Sequence, residues 1–208
     1  MNRYEKYHNC PDINKIIETI NDMQSLTGCH GRYHTMFVVS TLEYILQSLS
    51  YDARIIELGK IAALLHDIGS IAGRTNHAGK SAALASVFLD TSDFYPTEKY
   101  MIIQAIEDHS EATNISSAIG AAVFIADKLD ITKNRVLPLE EIDPWDKNLL
   151  EIEDVKIKIA GNSITIDYIT TEAFSKEQLF STYAGKIEMI VKAAAYLGCG
   201  CEVGFKPI

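Results

Sequence analysis

No stretch of the chain approaches the roughly 20 consecutive apolar residues needed to cross a bilayer, so no membrane-spanning helix is expected. The opening residues, Met1 to His8, carry none of the apolar core of a secretory leader, and the expected location is cytoplasmic. Basic charge is also scarce: 19 Lys and Arg stand against 28 Asp and Glu, a formal net charge of −9. This disfavours a broad surface for nucleic-acid polymers or anionic membranes, because steering a polyanion requires the opposite sign. A small anion held at a local positive site remains compatible with it. Cysteine is limited to Cys10, Cys29, Cys199 and Cys201. No second close Cys or His pair accompanies Cys199 and Cys201 to make a zinc knuckle, so they are expected to be ordinary thiols. There is no internal repeat, low-complexity tract or Ser/Gly linker.

What is present is enough apolar residue, 47% of 208 positions, to build one core of ordinary domain size. The apolar spacing predicts helices from Asp12 to about Leu26, with Asp12 as N-cap, and from Tyr33 to about Leu49. A third, Ala53 to His66, is apolar on nearly every side and is expected to be central, with Gly69 beyond it as a left-handed C-cap. Further helices are expected from His77 to Leu89 behind an Asn76 cap, from Pro96 to His109, and from Ile115 to about Ile131. After residue 137 the period changes. Val155, Ile157 and Ile159 alternate with polar residues, as do Ile164, Ile166 and Tyr168, around Gly161-Asn162, which predicts a hairpin. A last helix, about Ser175 to Leu197, and a short strand within Cys201 to Phe205 complete the expectation. The fold class is therefore mainly α: a helical body over residues 1–137, and, over residues 138–208, a C-terminal hairpin or short antiparallel sheet and a final helix that pack on it as an appendage. A lone hairpin is barely stable in water, so its edges also offer a route to a homodimer.

Four of the six histidines, His34, His66, His77 and His109, fall within or beside strongly apolar helices. Asp67 follows His66, and Asp127 ends the run Ala121-Ala122-Val123-Phe124-Ile125-Ala126. Buried imidazoles and carboxylates need partners. Taken singly, each is an ordinary satisfied residue; taken together, divalent metals compensate them most economically. His66 and Asp67 differ by about 100° around a helix, so both reach one metal only where the helix ends or distorts.

These residues carry a resemblance. His34, His66-Asp67 inside Leu64-Leu65-His66-Asp67-Ile68-Gly69, and Asp127 inside Ile125-Ala126-Asp127-Lys128 resemble the H…HD…D pattern of the HD superfamily of metal-dependent phosphohydrolases. Asn76-His77-Ala78-Gly79 and Glu107-Asp108-His109 look like the extra ligands of its two-metal branch, which includes HD-type hydrolases of dinucleoside tetraphosphates. The resemblance implies an HD-type helical bundle. It assigns one metal to His34, His66, Asp67 and Asp127 and a second to His77 and His109, with Asp67 bridging. Iron or manganese is expected first, with zinc, cobalt, nickel or magnesium as alternatives. After Lys128 the chain reads Leu129-Asp130-Ile131-Thr132-Lys133-Asn134-Arg135, where the tetraphosphate hydrolases continue through an acidic residue, proline and arginine. The substrate is therefore expected only as a small phosphate compound, a nucleotide foremost.

Two divalent ions with two carboxylate ligands leave a net charge of about +2 at such a site, the local inversion that the acidic composition permits. Water activated by the metals would attack phosphorus, with no covalent protein nucleophile. The candidate catalytic residues are Asp67 and Lys128. Lys80, Arg74, Lys128 and Arg135 are the candidate phosphate-binding cations. Asp130 is placed to orient a ligand or Lys128, Glu107 or Asp108 is a weaker choice for general acid, and His30 and His8 stand outside the pattern. The alternative reading is a module that senses or binds a nucleotide on the same metal-binding fold without turnover. An all-helical interaction protein with incidental histidines is a third.

Overall fold

The computed structural model of the protein describes residues 2–23, 30–89, 92–110, 115–136 and 144–208. Leu26, the expected end of the first helix, Cys29 and the boundary drawn after residue 137 lie outside the described residues.

Helix α1 (Arg3–His8) is too short to show an apolar stripe. Its signal is a capping box: Asn2 Oδ1 accepts from the Glu5 backbone N–H at 2.8 Å, and the Glu5 carboxylate accepts from Asn2 N–H at 3.1 Å. Helix α2 (Pro11–Met23) starts one residue before the expected position, with Pro11 in its first turn, so Asp12 lies inside the helix rather than capping it. Helices α3 (Arg32–Ser48), α4 (Ala53–Leu65), α5 (His77–Phe88), α6 (Pro96–Asp108) and α7 (Ala118–Leu129) fall where the apolar spacing puts them, to within a few residues. Asp52 caps α4 through the N–H groups of Arg54 and Ile55, both at 2.9 Å, and Ser117 caps α7 through Gly120 N–H at 3.0 Å.

α4 and α7 occupy the middle. Every residue from Ile119 to Asp127 is buried, and α3, α4, α6 and a helix over Ala184–Tyr196 pack around α7. The small side chains Gly120, Ala121, Ala122 and Ala126 let those neighbours approach. The core residues Leu42, Leu46, Ile61, Leu65 and Phe124 have no exposed surface. Removing several side-chain carbons from any of them would cost about 2–5 kcal/mol.

Gly69 is not the left-handed cap expected of it. The chain leaves α4 into a 3-10 turn over Ile68–Ala72, and the positive φ comes later, at Gly73. Gly69 is instead a point of close approach: a Cβ there would lie 2.2 Å from the Ser81 backbone nitrogen on α5. Gly69 N–H donates to Ser81 Oγ at 2.8 Å, so this contact fastens the start of α5 to the end of α4. Asn76 precedes α5 in the left-handed region, with φ 52 and no side-chain cap bond.

The C-terminal part follows the change of period. Helix α8 (Pro144–Leu150) leads into β1 (Ile152–Ala160), and a turn at Gly161-Asn162, with Gly161 at φ 56, reverses the chain into β2 (Ser163–Thr170). The antiparallel register pairs Val155 with Tyr168, Ile157 with Ile166 and Ile159 with Ile164. The expected single last helix is two, α9 (Lys176–Thr182) and α10 (Ala184–Tyr196), broken at Tyr183, whose φ of −110 and ψ of 15 are not helical. Strand β3 (Gly200–Pro207) then runs parallel to β2, not antiparallel, because α9 and α10 carry the chain back to the start of β2 before β3 begins; Cys201, Val203 and Phe205 lie opposite Ile164, Ile166 and Tyr168. These residues form one apolar face, and α10 packs against both β3 and α7. The Ile159 N–H also donates to Tyr44 Oη on α3 at 3.2 Å, so the sheet rests on the helical body, as an otherwise unstable hairpin requires. Burial pushes the Cys201 thiol up to about 11 and raises that of Cys199, leaving both as unreactive thiols.

Candidate metal centre

Five helices deliver their ends to one place. His34 stands in the first turn of α3, His66 and Asp67 just beyond α4, His77 at the start of α5, His109 just beyond α6, and Asp127 in the last turn of α7. The break from α-helical geometry needed to aim His66 and Asp67 together occurs at Asp67, whose φ and ψ are −111 and 3.

The outer nitrogen of each of the four imidazoles is tied back. His66 Nδ1 faces the Ala63 carbonyl at 2.7 Å, His109 Nδ1 the Ile106 carbonyl at 2.5 Å, His77 Nδ1 the Arg74 carbonyl at 3.2 Å and His34 Nδ1 the Asp130 carboxylate at 2.7 Å. These four partners are acceptors, and Arg135 Nη1 also lies 3.0 Å from His34 Nδ1; with the proton on Nδ1, each ring when neutral presents a lone pair at Nε2. The four Nε2 atoms point inward. His34 and His66 Nε2 are 3.3 Å apart, and His77 and His109 Nε2 are 3.1 Å apart. Two lone pairs held that close repel unless an electron-pair acceptor lies between them.

Asp67 stands between the two pairs. Its Oδ2 is 3.2 Å from His66 Nε2 and 3.6 Å from His34 Nε2, while its Oδ1 is 3.5 Å from both His77 and His109 Nε2. Oδ1 is buried without a hydrogen-bond partner, a costly state for a carboxylate oxygen. Asp127 Oδ1 approaches His34 Nε2 at 3.1 Å. Two groups of ligand atoms thus lie within 4.8 Å of one another, His34, His66, Asp67 and Asp127 in one and Asp67, His77 and His109 in the other. The converging lone pairs, the orphaned oxygen and the mixed imidazole and carboxylate donors all fit divalent metal.

The electrostatics agree. Burial alone would raise the carboxyl groups of Asp67 and Asp127. The imidazoles of His66 and His30 outweigh it at Asp67, and the Lys128 ammonium and His34 outweigh it at Asp127, holding both well below the usual carboxylate range. Burial lowers His77 against the opposing pull of Asp67.

Asp130 has no exposed side-chain surface. It holds His34 Nδ1, and the Arg135 guanidinium lies 3.8 Å from the same oxygen and donates to the Asp130 carbonyl at 3.2 Å. Of the candidate phosphate-binding cations, Arg74, Lys128 and Arg135 line a cavity of about 250 Å³ over the cluster. Lys128 Nζ is 2.7 Å from Asp127 Oδ2. Lys80 is not brought to the cavity: its Nζ donates to the Ala72 carbonyl at 2.8 Å and secures the turn that follows α4. Neither general-acid candidate faces the histidines. Glu107 takes a hydrogen bond from Gln104, and Asp108 accepts from Ser116 N–H and Oγ.

His30 is the residue that the spacing analysis set aside and the fold brings in. Arg135 Nη2 donates to His30 Nε2 at 3.2 Å, and His30 Nδ1 donates to Asp67 Oδ2 at 2.7 Å. Burial lowers this imidazole to about 3, against the pull of Asp67, so it is neutral. Its position four residues before His34 was the available signal, but Gly31 separates it from the helix. A larger, more open groove of about 500 Å³ lies beside α1, α3 and α4. It contains no histidine, and its charges pair off as Arg3–Glu57, Arg54–Glu57 and Lys60–Glu43.

The helices and the histidine cluster describe a mainly α metal-binding domain, and residues 31–132 match the family model described as HD domain. That segment contains all six proposed ligands. A solved structure described as a predicted HD superfamily hydrolase from an uncultured Thermotogales bacterium is 28% identical, with a TM-score of 0.49 over 64% of this chain and 75% of that one. No curated protein matches the chain. Among the described residues no helix is long and apolar enough to cross a membrane.

Proposed function

We propose that the protein is a metal-dependent phosphohydrolase that cleaves a phosphoester or phosphoanhydride bond of a small phosphate compound, a nucleotide foremost, in the cytoplasm. The observation that carries this reading is Asp67, whose two oxygens face two different histidine pairs, one of those oxygens being buried with no hydrogen bond. His34, His66, Asp67 and Asp127 would hold one divalent ion and Asp67, His77 and His109 a second, with iron or manganese favoured by the mixed donors. When bound, such ions polarise phosphoryl oxygens and make water a nucleophile at neutral pH.

The chain's own residues supply the rest. Asp130, Ala63, Ile106 and Arg74 hold the imidazole protons on the outer nitrogens. His30 and Arg135 steady Asp67. Lys128 and Arg74 place positive charge at the cavity, where charge builds on a transferring phosphoryl group. Among the described residues, Arg135, Lys128, Arg74 and Lys186 against Asp67, Asp127 and Asp130 make the lining net cationic within a protein of net −9. The cavity is smaller than the roughly 300 Å³ at which pockets begin to enclose a drug-sized ligand, so it suits a phosphoryl group with part of its leaving group rather than an entire dinucleotide.

Protein reconstituted anaerobically with iron or manganese should release phosphate from members of a panel of phosphomonoesters, nucleotides and dinucleotides. Asp67→Ala should abolish release. Failure on the whole panel, with metal content verified, would overturn the catalytic reading. Nucleotide-induced stabilisation without product would indicate the sensing module instead.

A further inference from the structure

The cavity over the histidine cluster is walled mostly by charged and polar side chains. Among the described residues, its apolar lining is Ile131 and Leu149. Ile131 falls within the matched segment 31–132, whereas Leu149 lies beyond it. Leu149 comes from the last turn of α8, which packs against the 3-10 turn over Lys133–Arg135 and against β1. The junction after it is pinned to the end of β2: Thr171 N–H donates to the Glu151 carbonyl at 3.0 Å, and the Thr171 hydroxyl donates to the Glu151 carboxylate. Leu149 is 2% exposed and Ile152, at the start of β1, is fully buried. Packed in this way, Leu149 has little freedom to swing aside.

An apolar wall offers nothing to a phosphoryl oxygen, which would lose hydration against it without gaining a hydrogen bond. It gains by covering carbon. In a cavity of about 250 Å³ shared by the histidine cluster and Leu149, the atoms attached to a phosphoryl group have little room to avoid that wall. We infer that Leu149 is a specificity-determining residue that packs on the carbon atoms of the leaving group and limits their bulk. The C-terminal part thereby selects the substrate for a centre built by residues 31–132. This inference rests on the phosphohydrolase reading and deepens it, naming phosphomonoesters with a compact, carbon-faced leaving group as the favoured class. It also gives the sheet a purpose, because β1 and β2 hold the end of α8 against the cavity.

The test uses the full chain loaded with manganese and three non-hydrolysable probes of rising bulk, methylphosphonate, phenylphosphonate and naphthylphosphonate, titrated calorimetrically beside inorganic phosphate. Leu149→Ala should raise the affinity for naphthylphosphonate relative to phenylphosphonate about tenfold, the discrimination that about one methylene of space gives in an apolar pocket. Leu149→Phe should act in the opposite sense, weakening phenylphosphonate about tenfold while methylphosphonate and inorganic phosphate bind as they do to the wild type. The Phe variant adds bulk rather than emptying the core, so it decides the matter if the Ala variant does not fold. Leu149→Met, close to leucine in volume, should keep the wild-type order of affinities. With phosphomonoesters that the wild type cleaves, the same shifts should appear in KM more than in kcat. Unchanged ratios among the probes in the Ala and Phe variants, or an equal loss for all four ligands, overturn the inference and leave the hydrolase standing. A metal-loaded wild type that binds neither phosphate nor any phosphonate and cleaves no ester overturns the phosphohydrolase reading itself, and this inference with it.

Discussion

Asp130 Oδ2 lies 2.7 Å from His34 Nδ1, although 96 residues separate the two in the chain. This contact fixes which nitrogen of His34 faces the cluster. Replacing Asp130 with Asn removes the negative charge that holds the proton on Nδ1 and allows the ring to reverse. Metal affinity should fall about 10- to 100-fold, measured by competition with a chelator, with little change in the far-ultraviolet circular dichroism.

Asp67 is shared by the two groups of ligand atoms and His77 belongs to one. Elemental analysis of purified, reconstituted protein should therefore show that Asp67→Ala loses nearly all bound metal, whereas His77→Ala keeps about half of the wild-type complement. Equal losses in the two variants would contradict a bridging Asp67.

His30 reaches Asp67 through Nδ1, the position that an asparagine Nδ2 approximates and a glutamine amide does not. His30→Asn should retain metal affinity to within a few-fold, while His30→Gln and His30→Ala should lower it about tenfold. A chelator titration on the three variants separates this hydrogen bond from simple space-filling.

Gly69→Ala should destabilise the fold by about 3 kcal/mol, because a Cβ there meets the Ser81 backbone at 2.2 Å rather than a movable side chain. Urea unfolding measures the loss. The same displacement of α5 moves His77, so occupancy of the group containing His77 and His109 should fall more than that of the other.

Much of the helical body was legible because its helices are amphipathic or fully apolar over three or more turns, and that period survives in any tertiary setting. The six residues of the proposed metal centre were legible for a related reason: titratable groups in apolar surroundings need a common partner. Helix α1 escaped periodicity because it has fewer than two turns. The break at Tyr183 escaped because α9 and α10 are both apolar on the side that faces the core, and nothing in their spacing marks a change of direction. Gly69 was assigned a conformational role because a glycine after a helix commonly has one; its actual constraint comes from Ser81, twelve residues away and on another helix.

The sequence by itself marked the long helices of the body and the three strands, left room for a local positive site within an acidic protein, and singled out the imidazoles and carboxylates that need partners. These follow from side-chain chemistry and periodicity, which are local properties. Only the tertiary structure decided that His30 and Arg135 support Asp67, that Asp130 orients His34, that Lys80 secures a turn outside the cavity, and that α10 sends Lys186 into it. Each of those depends on where separate elements cross, and crossing is set by the packing of the whole core, which no window of sequence contains.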